Sequence, residues 1–135
     1  MYAQEDITSV DKEEMMREIK FRAWLTEIEK MTYTHTLEEL MSWNTTRESN
    51  GTVIWMQYTG LKDKNGVEIY EGDVLKSVTY RYVGEVKYVP ENAAFLVFWS
   101  DDNGRHAGYL DDGMCSRIEV IGNIHDNPEL LGGAE

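Results

Sequence analysis

The feature that most constrains this chain is its rhythm of short β-branched and aromatic runs cut by turn residues. Val53–Tyr58, Val74–Tyr82, Gly84–Val89, Ala94–Trp99, Arg105–Leu110 and Ile118–Ile121 each read as a strand. Thr59-Gly60, Gly72-Asp73, Pro90-Glu91-Asn92, Asp101–Gly104 and Asp111-Asp112-Gly113 punctuate them. Strands and turns alternating about every ten residues argue a small antiparallel barrel or sandwich. Asn65-Gly66, between Lys62-Asp63-Lys64 and Val67–Tyr70, is the strongest hairpin signal. Asn-Gly tolerates the positive φ angles of a type I′ turn. Ala94–Trp99, AFLVFW, is apolar on both faces and is expected to be the most buried strand. Phe21, Trp55, Phe95 and Trp99 are expected inside.

Upstream, Ile19–Trp24 alternates, with Ile19, Phe21 and Ala23 on one side and Lys20 and Arg22 on the other. Period two reads as a half-buried strand, and Lys30–Thr34 fits its antiparallel neighbour. Thr36 and Glu39 have the spacing of a capping box, in which hydroxyl and carboxylate satisfy each other's orphan backbone donors. A short helix is expected over Leu37–Trp43, followed by a loop over Asn44–Gly51. Asn127-Pro128-Glu129 offers an N-cap, a proline at the first helical position and an acid at the positive end. One closing helical turn over Pro128–Leu131 follows from it.

The chain has 135 residues and a single cysteine, so it suits one domain and holds no intrachain disulfide. No apolar run approaches the ~20 residues that span a bilayer. The start, MYAQEDITSVDKEEM, is acidic and lacks the apolar stretch of a signal peptide. A cytoplasmic protein is expected. Residues 1–15 read as a polar extension, frayed or opened into a short helix by Asp11 and Glu14. Residues 16–131 form the domain, divided into N-terminal strands and short helix over 16–58 and a barrel portion over 59–131. Residues 132–135 are tail.

The net charge is −12 and uneven: −4 over residues 1–15, −1 over 16–51, −1 over 52–99 and −6 over 100–135. Acidic ends repel phosphates, so nucleic-acid binding would need a local basic patch. Lys62, Lys64 and Lys76 come nearest to one, with acids interleaved.

Three blocks carry a resemblance. Met16–Trp24 (MREIKFRAW), Met56–Leu75 (MQYTGLKDKNGVEIYEGDVL) and Glu119–Leu131 (EVIGNIHDNPELL) resemble, in order and at both ends, the YopX-like proteins, a family of small phage- and prophage-encoded proteins. The resemblance spans residues 16–131 and places residues 1–15 outside, as an extension or the result of an upstream start. It implies a mainly β fold: a small antiparallel SH3-like barrel with additional N-terminal strands and one or two short helices. It supplies a genomic setting and no catalytic residues, and a barrel of this kind does not by itself decide function.

The residues ask for little chemistry. His35, His106 and His125 are scattered. Asp101, Asp102, Asp111 and Asp112 sit where turns want aspartate, without the alternate spacing of a calcium loop. Cys115 has no base at a motif spacing that would form a thiolate. GxSxG, GxGxxG and P-loop signatures are absent. No metal, cofactor or catalytic residue is therefore expected. Aromatics are the richer resource, with four Trp, eight Tyr and three Phe. Tyr58, Tyr70, Tyr80 and Tyr82 are candidates for a binding face, against the plainer role of packing the sheet.

The leading expectation is a non-enzymatic protein-interaction module, which could self-associate. Asp101, Asp102, Asp111 and Asp112 would steer it to a basic partner, a host-encoded protein being one candidate. The alternative is a single-stranded nucleic-acid binder using barrel aromatics with Lys62, Lys64 and Lys76. A small metal-dependent hydrolase is the weakest reading.

Overall fold

The computed structural model describes residues 18–46 and 53–131. The extension 1–15, the tail 132–135 and most of the Asn44–Gly51 loop lie outside the described residues.

The described residues form two antiparallel sheets. The first has four strands: β1 (Phe21–Leu25), β2 (Lys30–His35), β3 (Val53–Lys62) and β4 (Glu68–Tyr70), in the order β2-β1-β3-β4. The second has five: β5 (Asp73–Ser77), β6 (Val83–Val89), β7 (Ala94–Asp101), β8 (Gly104–Tyr109) and β9 (Ile118–Asn123), in the order β8-β7-β6-β5-β9. Four consecutive strands meander, and the fifth returns through a 3-10 turn, Cys115–Arg117, to pair with the first. That is the connectivity of an SH3-like barrel, and the expected small-barrel class holds. The sheet curls around Leu75, Val86, Val97, Trp99 and Ile118, with Ile69 delivered from β4 of the other sheet. Phe95 and Trp99 are buried as expected, whereas Phe21 and Trp55 are half-buried.

The one α-helix among the described residues, α1 (Leu37–Thr46), begins as its sequence requires. Glu39 N–H donates to Thr36 Oγ1 at 3.1 Å, and Thr36 N–H donates to Glu39 Oε1 at 3.0 Å, which is the capping box. The helix runs on through Asn44–Thr46, which composition assigns to loop. A 3-10 turn over Pro128–Leu131 closes the described chain and packs against β6. Asn127 is the expected N-cap of this turn; its Oδ1 accepts Asn123 N–H at 3.2 Å.

Four other expectations change. The strand over Val74–Tyr82 stops at Ser77, because Ser77 Oγ accepts the N–H groups of Thr79 and Tyr80 and turns the chain. The hairpin at Asn65-Gly66 is not type I′. Only Gly66 takes positive φ, at 85°, and Gly66 N–H donates to the Asp63 carbonyl. This is a longer turn ending in a left-handed glycine. β7 is not apolar-buried throughout, since Phe98 faces outward. Arg22, assigned to the wet side of β1 by its alternation, is buried, while Ile19 is exposed.

Candidate interaction surface

Charged and aromatic side chains gather at the joint between the sheets, on the outer face of the second sheet and in its turns. At the joint, Arg22 on β1 meets Asp73 at the start of β5. Arg22 Nη1 lies 2.9 Å from Asp73 Oδ1, with both side chains 3% exposed. Nη1 also lies 3.2 Å from Tyr33 Oη, and Nη2 donates to the Glu71 carbonyl at 2.9 Å. Asp73 Oδ2 accepts Tyr70 N–H at 2.8 Å. The guanidinium sits 5.0 Å from the Tyr70 ring centre. Burial pushes the Asp73 carboxyl up to about 6, while Arg22 and the Tyr70 N–H pull it back. A cavity of about 470 Å³ lies beside this pair, lined by Arg22, Tyr33, Glu68, Tyr70, Asp73 and Asn123 among others. A carboxyl titrating near neutrality in a cleft is a common mark of a functional site. Here Arg22 and Asp73 are turned onto each other, and the arrangement reads as a pin between two sheets.

Tyr58 and Tyr70 belong to this joint and not to a binding face. They are cross-strand partners, buried, with ring centres 5.4 Å apart. Burial pushes the Tyr70 phenol up to about 12. Tyr80 and Tyr82 stand elsewhere, on the β5–β6 turn. Their rings stack at 5.1 Å, and Tyr82 continues onto Trp99 at 5.9 Å and His106 at 4.8 Å. Tyr80 is 61% exposed.

The four candidate aspartates do not converge. Asp101 Oδ1 accepts Asn103 N–H, and Asp111 Oδ1 accepts Met114 N–H. The Asp101-Asp102 and Asp111-Asp112 pairs therefore build turns at opposite ends of β8, about 20 Å apart at ~3.4 Å per residue. Lys62 and Lys64 sit on the Asp63 hairpin, where Lys64 N–H donates to the Ile118 carbonyl at 3.1 Å. Lys76 stands opposite Glu119 across β5 and β9. No group of three His, Cys, Asp or Glu residues could hold a metal ion among the described residues. Burial, then Asp112 and Asp111, push the Cys115 thiol up, so it stays protonated at neutral pH.

His125 stacks on Trp24 at 5.2 Å. Burial, followed by the Arg22 charge, lowers its pKa below 6.5. The unfolded chain then binds more protons than the native one below pH 6.5. His125 contributes stability above that pH and loses it as pH falls through the native value. An NMR titration is expected to place its midpoint below 6.5, and His125→Phe to flatten that limb of the stability profile.

Sequence reasoning missed the outer face of the second sheet. Antiparallel register lines up Lys87, Leu96 and Tyr109 in one row, Glu85, Phe98 and Ala107 in the next, then Val83, Ser100 and Arg105. Phe98 is 40% and Tyr109 55% exposed. Lys87 Nζ lies 5.2 Å from the Phe98 ring centre. A groove of about 550 Å³ crosses this face between Lys87, Phe98, Arg105, Ala107 and Leu131.

β8 ends the sheet on this side. Leu110 N–H donates to the Phe95 carbonyl at 3.0 Å. Hydrogen-bonded and unbonded pairs alternate along an antiparallel ladder. Counting back from Leu110, Gly108 and His106 turn their backbone groups toward β7. Arg105, Ala107 and Tyr109 turn theirs outward, and no group pairs with them among the described residues. The signal available in sequence was the alternation of Arg105, Ala107 and Tyr109, which points at a half-exposed strand without saying that its far edge is open.

A curled five-stranded antiparallel sheet with a second sheet pinned to it is a mainly β protein of the small-barrel kind. The chain belongs to the YopX protein family, whose family model matches residues 20–132. Three solved chains match it, among them protein EF1440 from Enterococcus faecalis. The similarity to that structure is 27% in sequence, with a TM-score of 0.52, over 86% of this chain and 99% of that one. No curated protein matches. No helix is long and apolar enough to cross a membrane among the described residues.

Proposed function

We propose that this protein is a non-enzymatic interaction module, a cytoplasmic accessory protein of phage or prophage type, binding another protein through the outer face of β6, β7 and β8. The observation that carries the reading is the pairing of exposed Phe98 and Tyr109 with an open strand edge. Exposed apolar strips and unpaired edges are liabilities that folded proteins otherwise cover. The test is capture from bacterial lysate by the tagged full chain, with and without nuclease. A stoichiometric protein that survives nuclease and is lost with Phe98→Glu plus Tyr109→Glu is the expected result. Capture that disappears with nuclease contradicts it.

One observation favours the nucleic-acid reading. Tyr80 and Tyr82 stack beside His106, with Arg81 in the same turn and Arg117 lining the same small groove. Stacked rings with flanking arginines suit single-stranded bases. That reading requires binding of an oligonucleotide that weakens with salt and falls on Tyr80→Ala. A flat titration at low salt removes it.

A further inference from the structure

We infer that the open edge of β8 accepts an extended strand of another protein, with apolar residues along one face and basic residues at both ends. The inference rests on the interaction-module reading and specifies its partner.

Three observations lead there. The first is backbone geometry. Arg105, Ala107 and Tyr109 direct their N–H and C=O groups away from β7, which is the pattern an added antiparallel strand needs. The opposite edge of the same sheet is closed. At β9, Lys64 N–H donates to the Ile118 carbonyl, and Asp63 Oδ2 accepts Val120 N–H.

The second is the side-chain face. Arg105, Ala107 and Tyr109 also place their side chains on the outer face, in register with Ser100, Phe98 and Leu96. Alternate side chains of an added strand would extend these rows. Small Ala107 leaves Phe98 open to them.

The third is charge. The Asp101-Asp102 turn lies at one end of β8 and the Asp111-Asp112 turn at the other, about 20 Å apart. A strand of about six residues spans that distance, so basic flanks would meet an acidic pair at each end. A second copy of this chain fits less well. An antiparallel copy centred on Ala107 would set the two acidic turns of one molecule beside those of the other, in a protein of net charge −12.

The test uses the full chain and a capped nine-residue peptide of alternating valine and threonine with two lysines at each end. A control peptide carries glutamates at the ends. Binding is read by NMR, with amide exchange at Arg105, Ala107 and Tyr109. The lysine peptide is expected to bind at least tenfold more tightly than the control and to slow exchange at those three amides in the wild-type protein. Asp101, Asp102, Asp111 and Asp112 changed together to Asn should erase the difference between the peptides. Ala107→Pro should reduce binding at least tenfold. Proline fits this position because the Ala107 N–H makes no ladder bond.

Several results overturn the inference. One is no preference for the lysine peptide, or no protection at the three amides. Another is binding that survives Ala107→Pro but is lost with Phe98→Glu. That result places the partner on the face without a strand pairing, and leaves the interaction-module reading standing. A third is a wild-type dimer that Ala107→Pro dissolves, which assigns the edge to a second copy.

Discussion

Asp73→Asn is expected to destabilise the protein by about 3–5 kcal/mol, the usual effect of removing one partner of a buried ion pair. The cause lies in what remains. Asparagine still accepts Tyr70 N–H, but Arg22 is left 2% exposed with its charge unbalanced, and a guanidinium does not deprotonate in a protein. The wild-type Asp73 carboxyl, pushed up to about 6, loses stabilising proton binding as pH rises through that value, so the cost of Asp73→Asn is smaller at pH 8 than at pH 5. Arg22→Met behaves differently. Asp73, already pushed up to about 6 beside the arginine, rises further without it and holds a proton in the native state. The native chain then binds more protons than the unfolded one above pH 3.8, so the variant loses stability as pH rises through the native pKa. Arg22→Met should thus be milder at pH 5 than at pH 8. Combining both substitutions removes both charges and should bring stability back to within about 2 kcal/mol of wild type. Denaturant titrations of the four proteins at two pH values check the cycle. Additive losses in the double variant would mean that the pin is not the source of the cost.

Asp63→Ala should destabilise by about 3 kcal/mol, the order expected when three part-buried N–H groups lose one shared acceptor. Oδ1 takes the N–H groups of Asn65 and Val67, and Oδ2 takes that of Val120. One carboxylate thus shapes its own hairpin and fastens that hairpin to β9. Burial alone would raise its pKa, but the three N–H groups hold it below the usual carboxylate range. Its contribution is present above the unfolded value near 3.8 and is lost as pH falls through the native one. Asp63→Asn keeps one oxygen and sets an amide N–H against another N–H, so an intermediate loss of about 2 kcal/mol is expected. Hydrogen exchange at Val120 should speed in both variants. Unchanged protection there would contradict the role given to Asp63.

Much of this fold is legible in the sequence because its signals are local. The Thr36–Glu39 capping box, the aspartate turns and most strand positions depend on neighbours a few residues apart. What the sequence hides depends on partners far along the chain. Arg22 reads as a wet-side residue until β1 is covered on both faces and Asp73 is brought to it. Asp63 reads as a turn residue until β9 arrives. Tyr58 and Tyr70 look like surface aromatics until the two sheets close over them. Ser77 ends a strand by a side-chain bond that competes with β propensity. The candidate surface is harder still. Whether Phe98 points in or out depends on which side of β7 the core forms, and an open edge is a property of sheet order alone.

The most direct measurement for the proposed surface is amide hydrogen exchange along β8 of the free protein. Alternation is expected: slow exchange at His106, Gly108 and Leu110, whose N–H groups face β7, and fast exchange at Arg105, Ala107 and Tyr109. Equal protection at all six would mean that the edge is already covered, and would contradict an interface held open for a partner.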